Sequence, residues 1–334
     1  MKKVIFCAVA LIFGTSVMAQ SNESTVSQLG DNNDNTVYQE GYMNQSGVKV
    51  EGKNPDTPGN GNTTKVTQIG KRNNDRDNDD SEDLIVLVRG NNNSNTVKQD
   101  GNDNRTFSYQ RGNGNTSDIL QDGNDNLSQI RALGNWNDSY IDQIGNHNNS
   151  SIVLTNGSDG NDADIYQYGN RNNGRAEVTG DWNEVDIDQV GHYNNSDLPK
   201  FSGDPKAALI TGDGNYVRLN QLGNYNEGVT TVSGNWNDAI TRQESNWNKS
   251  TTIQNGDGNF SRTKQFDSGH HQSTTTQETS WNESNVTQNG YMQYSTVLQT
   301  GGNGNTSTVT QSGSYNTSDV VQTGAGNTSV VTQK

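Results

Sequence analysis

The chain has 334 residues, of which 27% are hydrophobic and 18% charged, with a formal net charge of −15 and a strongly polar mean hydropathy. So few apolar residues exclude a thick globular core, because ordinary soluble domains are nearly half apolar. The acidic excess argues against nucleic acid or anionic membranes as electrostatic partners.

The first nineteen residues, MKKVIFCAVALIFGTSVMA, open on Lys2 and Lys3, run apolar from Val4 to Phe13 and end in small residues at Ala19. This layout predicts a secretory signal peptide over 1–19, followed by a single repeat array over 20–334. Its apolar run is too short to span a bilayer, and no later stretch is apolar enough to do so. Without the leader the chain keeps 21 basic and 38 acidic residues, a charge of −17. The one cysteine, Cys7, falls in the leader, so the exported chain is expected to lack disulfides and Cys-based metal chemistry.

From Gln28 onward glutamine returns every eleven or twelve residues, mostly in the frame Q-x-G-x-x-N. Composition alone would describe disorder, but a fixed period of this kind marks an array of short repeated elements. Counting other residue types in the same slot gives 26 anchors, 19 of them glutamine; the others are Val50, Val88, Ala132, Thr155, Val178, Ile210 and Val232. Every even anchor is glutamine: Gln39, Gln68, Gln99, Gln121, Gln143, Gln167, Gln189, Gln221, Gln243, Gln265, Gln288, Gln311 and Gln333. The odd class keeps it only at Gln28, Gln110, Gln254, Gln277, Gln299 and Gln322. The unit is therefore a pair of elements, about 22 residues long, repeated 13 times.

Along the chain, the first element is a regular strand, Ser24 to Gln28. Proline- or charge-rich insertions follow near 53–61 and 74–82, expected as surface loops. A typical unit, Asn115 to Asn126, places Ser117, Ile119 and Gln121 on one parity and Thr116, Asp118 and Leu120 on the other, which predicts a strand. Gly123 and the asparagines after it supply a turn. All five tryptophans, Trp136, Trp182, Trp236, Trp247 and Trp281, fall four residues past an anchor, joined by Tyr193, Tyr225 and Tyr315, and should line the rims. They would either stack between neighbouring turns or contact glycans, other fibrils or surfaces. A third insertion lies near 195–204. Thr230, Thr241, Thr252, Thr263 and Thr275 occupy successive slots two before the anchor, on the buried parity. The last element is again a regular strand, Val330 to Lys334.

Strand, turn, strand, turn predicts an all-β, cross-β-like β-solenoid with two strands per coil, about 13 coils forming two facing parallel sheets. Its length is roughly 60 Å at the usual strand spacing. Burying glutamine is costly unless its amide is paired. Stacked glutamines solve this by bonding to their equivalents above and below, as in cross-β ladders. The even glutamines should form one unbroken ladder, whereas aliphatic packing replaces it through the middle of the odd sheet. Asn126 and its equivalents either form a second ladder or merely suit the turn.

Asp-rich turns such as 122–125 and 158–162 lack the regular acid spacing of calcium-binding repeats and read as solvating charge. The histidines His147, His192, His270 and His271 read as solvated turn residues. No catalytic motif, metal cluster or cofactor signature occurs.

The Q-x-G-x-x-N frame with its Ser/Thr-started strands resembles the curlin repeat of curli subunits, over about Ser21 to Lys334. The resemblance implies a secreted subunit that assembles with itself into extracellular amyloid fibres on the cell surface, serving biofilm matrix and adhesion; regular repeats up to Lys334 point to the major subunit, and the lack of catalytic motifs to a non-enzymatic one. It also implies a nucleating minor subunit and an outer-membrane export pore as partners. The array here is longer than is usual in that family, and no polar export segment separates the leader from the first strand. Regular strands at both ends predict open poles, with Gln28 and Gln39 at one and Gln322 and Gln333 at the other as polymer-end contacts. The alternative is a monomeric secreted β-solenoid that binds carbohydrate or ice through a flat face.

Overall fold

The computed structural model describes residues 21–54, 57–74, 85–155, 157–196 and 207–334. The expected leader, and most of the expected insertions at 74–82 and 195–204, lie outside the described residues. Among the described residues twenty-six strands run from β1 (Glu23–Gln28) to β26 (Thr328–Gln333), and no helix is long and apolar enough to cross a membrane. Odd-numbered strands form one 13-stranded sheet and even-numbered strands another. Every pairing is parallel, as between β8 (Thr116–Asp122) and β10 (Asp138–Ile144). The protein is thus an all-β solenoid of 13 coils, each holding one strand of each sheet. Coil 1 contains β1 and β2 (Asp34–Tyr42), and coil 13 contains β25 (Thr317–Thr323) and β26.

Alternation builds the core. In β8 the buried residues are Ser117, Ile119 and Gln121, and their neighbours face outward. One apolar cluster extends from Val26 to Ala239, and a second comprises Val286, Val297, Val309 and Val320 with Val331. Between them, Thr241, Thr252, Thr263 and Thr275 occupy the interior slots and are at most 2% exposed.

The corners depend on glycine at a specific point. Gly123, two past its anchor, has φ +130°, and a Cβ there would lie 1.9 Å from the carbonyl oxygen of Gly145 in the next coil. No other residue fits that stack without moving the backbone.

Two expectations are corrected. The odd anchor of coil 6 is Leu154, not Thr155: Leu154 pairs with Ala132 on one side and Val178 on the other, and is fully buried. The apolar side chain takes the interior slot. The surplus residue passes into the following turn, where the Thr155 hydroxyl bonds to that of Thr179 at 3.0 Å. His271 is likewise not solvated. A register irregularity between Phe266 and Gly269 carries it into a turn column held by asparagine in the preceding coils and by Gln293 in the next. It is fully buried, its Nε2 lies 3.0 Å from the Phe266 carbonyl, and burial pushes its pKa down.

Candidate assembly surface and its ladders

The parallel register stacks each even glutamine on the next. Gln39 donates from Nε2 to Oε1 of Gln68 at 2.8 Å, and the same bond recurs in every later coil to Gln311 and Gln333, at 2.8–3.0 Å. All twelve bonds point the same way, from each coil to the one C-terminal to it. The second amide hydrogen crosses the core: Gln143 Nε2 reaches the Leu127 carbonyl at 3.0 Å and Gln265 Nε2 the Lys249 carbonyl at 2.9 Å. Each glutamine therefore links its neighbours along the rod and ties the two sheets together. Polar satisfaction on this scale is what makes a buried amide column tolerable.

The odd column differs. Val50, Val88, Ala132, Leu154, Val178, Ile210 and Val232 are at most 1% exposed. Only at its C-terminal end does a ladder run, from Gln254 through Gln277 and Gln299 to Gln322, at 2.8–3.0 Å. Gln110 stands alone between Val88 and Ala132. Its Nε2 bonds to Ser94 O and Ser117 Oγ, while its buried Oε1 has no partner. Gln28 is exposed on the outermost odd strand, opposite Val50.

The turn asparagines form ladders as well. From Asn33 to Asn327, after every odd strand, the backbone N–H of each asparagine donates to Oδ1 of its equivalent in the preceding coil, at 2.8–3.0 Å. At the opposite rim a similar series runs from Asn22 to His271. These asparagines are not the residues with left-handed backbone. That conformation falls on the residue before them, such as Asp125 at φ 56° and Trp136 at φ 58°. A further ladder joins the residues after most corner glycines, as when Asn113 N donates to Asn135 Oδ1 at 3.0 Å. Sequence reading missed it, although an Asn or Asp after most corner glycines was its visible signal.

The tryptophans divide between the rims. Trp247 follows an even anchor and stacks on Tyr225, which stacks on Tyr193, with centroids 4.1 and 4.9 Å apart and rings nearly parallel, and the series continues to His270 at 6.1 Å. Trp136, Trp182, Trp236 and Trp281 follow odd anchors, are 68–71% exposed, and alternate by coil with Gly114, Gly160, Gly214 and Gly258. Each of these rings lies on the glycine of the preceding coil. A Cβ on Gly114 would come within 2.5 Å of Trp136.

On the outward face of the even sheet, Asp164 is pushed up to about 7, first by burial and then by Asp162 and Asp186. Burial also raises Asp138, Asp142, Asp162 and Asp188.

The family model of the curlin associated repeat matches residues 159–196 and 302–334, which fall in coils 6–7 and 12–13. No curated protein matches the chain.

Proposed function

From the premise that this is a curlin-repeat protein, we propose that it is the major subunit of an extracellular, curli-type amyloid fibre that grows by end-on stacking of solenoid coils. The carrying observation is the polarity of the glutamine ladder. At one pole Gln39 Oε1 has no preceding coil among the described residues to donate to it. At the other, Gln333 Nε2 donates to Thr317 O, and no following coil among the described residues receives its second hydrogen. The outer strands are correspondingly open: β1 and β26 have no fully buried residue. A second copy placed Gln333 to Gln39 and Gln322 to Gln28 would extend both columns with the same bond in the same direction. Head-to-tail contacts of this kind do not close, and so they make filaments.

Export through the predicted leader, nucleation by a minor subunit, passage through an outer-membrane pore and a role in biofilm matrix and adhesion belong to the same reading. The ice-binding alternative loses support, because four of its five threonines are at most 1% exposed and the fifth, Thr241, is 2% exposed.

The test is to incubate the purified chain lacking residues 1–19 and follow thioflavin fluorescence together with fibre diffraction. A rise in fluorescence with a meridional reflection near ~4.8 Å is expected. Protein that stays monomeric for days at high concentration overturns the proposal. Gln39→Ala with Gln333→Ala should slow growth more than Gln143→Ala with Gln167→Ala at equal folded fraction, and equal effects count against end-on addition.

A further inference from the structure

The outward face of the even sheet carries its charges in blocks. Coils 4 to 7 carry acids in adjacent register positions, among them Asp118, Asp164, Asp186 and Asp188 and also Asp142, which is 6% exposed and accepts from the Tyr168 hydroxyl, with no base in those rows. In coils 8 to 10 the same rows present Arg218, Arg242, Arg262 and Lys264. Within the chain the blocks meet at one seam, where Arg218 lies 3.7 Å from Asp186 and 3.6 Å from Asp188. Beside the charges runs an apolar row, Ile144, Tyr168, Val190 and Leu222, of which the first three are exposed. The opposite sheet is closed at this level, since Asn149, Ser151, Asn173 and Arg175 are buried.

We propose that this face pairs with the same face of a second copy running antiparallel, about a two-fold axis parallel to the strands between coils 7 and 8. Such an axis sets coil 5 against coil 10, coil 6 against coil 9 and coil 7 against coil 8, while each row meets itself. Asp142 then faces Lys264 of the second copy, Asp186 faces Arg218, and Tyr140 and Tyr166 face Arg262 and Arg242. In the apolar row Ile144 meets Phe266 and Val190 meets Leu222, while Tyr168 meets Glu244, which is paired with Arg242 of its own chain; the one like-charge contact, Asp162 with Asp238, falls at the edge of the face. Asp164 faces Ile240, with Arg218 and Arg262 of the second copy on either side. The arrangement is isologous, so every favourable pair is formed twice. A parallel pair in register would set the acidic block against itself, and like charges across an interface are strongly disfavoured. Six coils at ~4.8 Å, by strands of about seven residues, give roughly 650 Å² per copy. The total, about 1,300 Å², is within the range of specific interfaces. This pairing is lateral and does not depend on end-on growth.

Cysteine cross-linking tests it, because the chain's only cysteine, Cys7, lies in the predicted leader. Ile144→Cys and Phe266→Cys variants of the exported chain are prepared separately, mixed and mildly oxidised. A mixed disulfide between the two variants is expected. End-on stacking cannot supply it, since coils 5 and 10 are both far from the poles. Disulfides within the Ile144→Cys preparation alone, or no cross-link at all, overturn the proposal. Adding Arg262→Glu and Lys264→Glu to the Phe266→Cys variant should lower the mixed yield at least about tenfold, whereas Lys65→Glu, in coil 2 of the same face, should leave it unchanged. Equal loss from both changes would show that charge in general, and not this pairing, governs the cross-link.

Discussion

Two stretches of the odd sheet solve one problem in opposite ways. In coils 5 to 9 the interior slot is filled by Ala132, Leu154, Val178, Ile210 and Val232; in coils 10 to 13 it is filled by Gln254, Gln277, Gln299 and Gln322, joined by a ladder. Both stretches face the same even glutamine column across the core. The slot accepts either chemistry, provided neighbours share it. Where a run begins or a glutamine stands alone, the shortfall is visible: the Oε1 atoms of Gln254 and Gln110 are buried without partners. The unit of selection in such a column is therefore the run of coils, because an amide is satisfied by its copies and an aliphatic side chain by packing.

The sharpest break of this rule is Gln143→Val. It removes the acceptor of Gln121 Nε2 and the donor to Gln167 Oε1, and leaves both amides buried. Chemical denaturation should show a loss of about 3–5 kcal/mol, from two unsatisfied groups and a small cavity. Gln299→Val, inside the odd ladder, interrupts the bonds to Gln277 and Gln322 nearer the C-terminal pole. A loss of about 2–4 kcal/mol is expected there. If either change proves neutral, the ladders do not carry the interior.

Acidity gives a smaller effect. Asp164 has its folded pKa raised to about 7, against an ordinary value near 3.8. Its contribution to stability is therefore fully present below pH ~4 and lost as the pH rises through about 7. The melting temperature should climb by a few degrees between pH 8 and pH 5, and Asp164→Asn should flatten that slope. A melting temperature that falls over this window would contradict the assignment.

The smallest change should be Gln110→Val, which matches Val88 and removes an orphaned carbonyl while giving up the bonds to Ser94 and Ser117. Stability should stay within about 1 kcal/mol of the parent or rise. A loss as large as that of Gln143→Val would end the distinction between run and isolated residue.

Much of this architecture was legible in the residue order. The even glutamines recur in one parity without exception, and a parallel coil places identical positions one strand spacing apart, so register, sheet membership and coil number follow from the period itself. The aliphatic run in the odd sheet was legible for the same reason. The asparagine columns were half legible, because asparagine also suits turns, and only the turn geometry placed the left-handed residue one position earlier, on Asp125 and Trp136.

What the sequence by itself determined, then, is every feature that repeats: two strands per coil, 13 coils, and which glutamines share a column. Tertiary structure decided the exceptions. A corner one residue longer than its neighbours can release that residue on either side, and only packing selects Leu154 over Thr155 or sends His271 into an asparagine slot. It also set the single direction of the amide ladder and seated four tryptophans on glycines of the preceding coil. These outcomes depend on what lies one coil away in space, and a period alone cannot say how a side chain meets its neighbour.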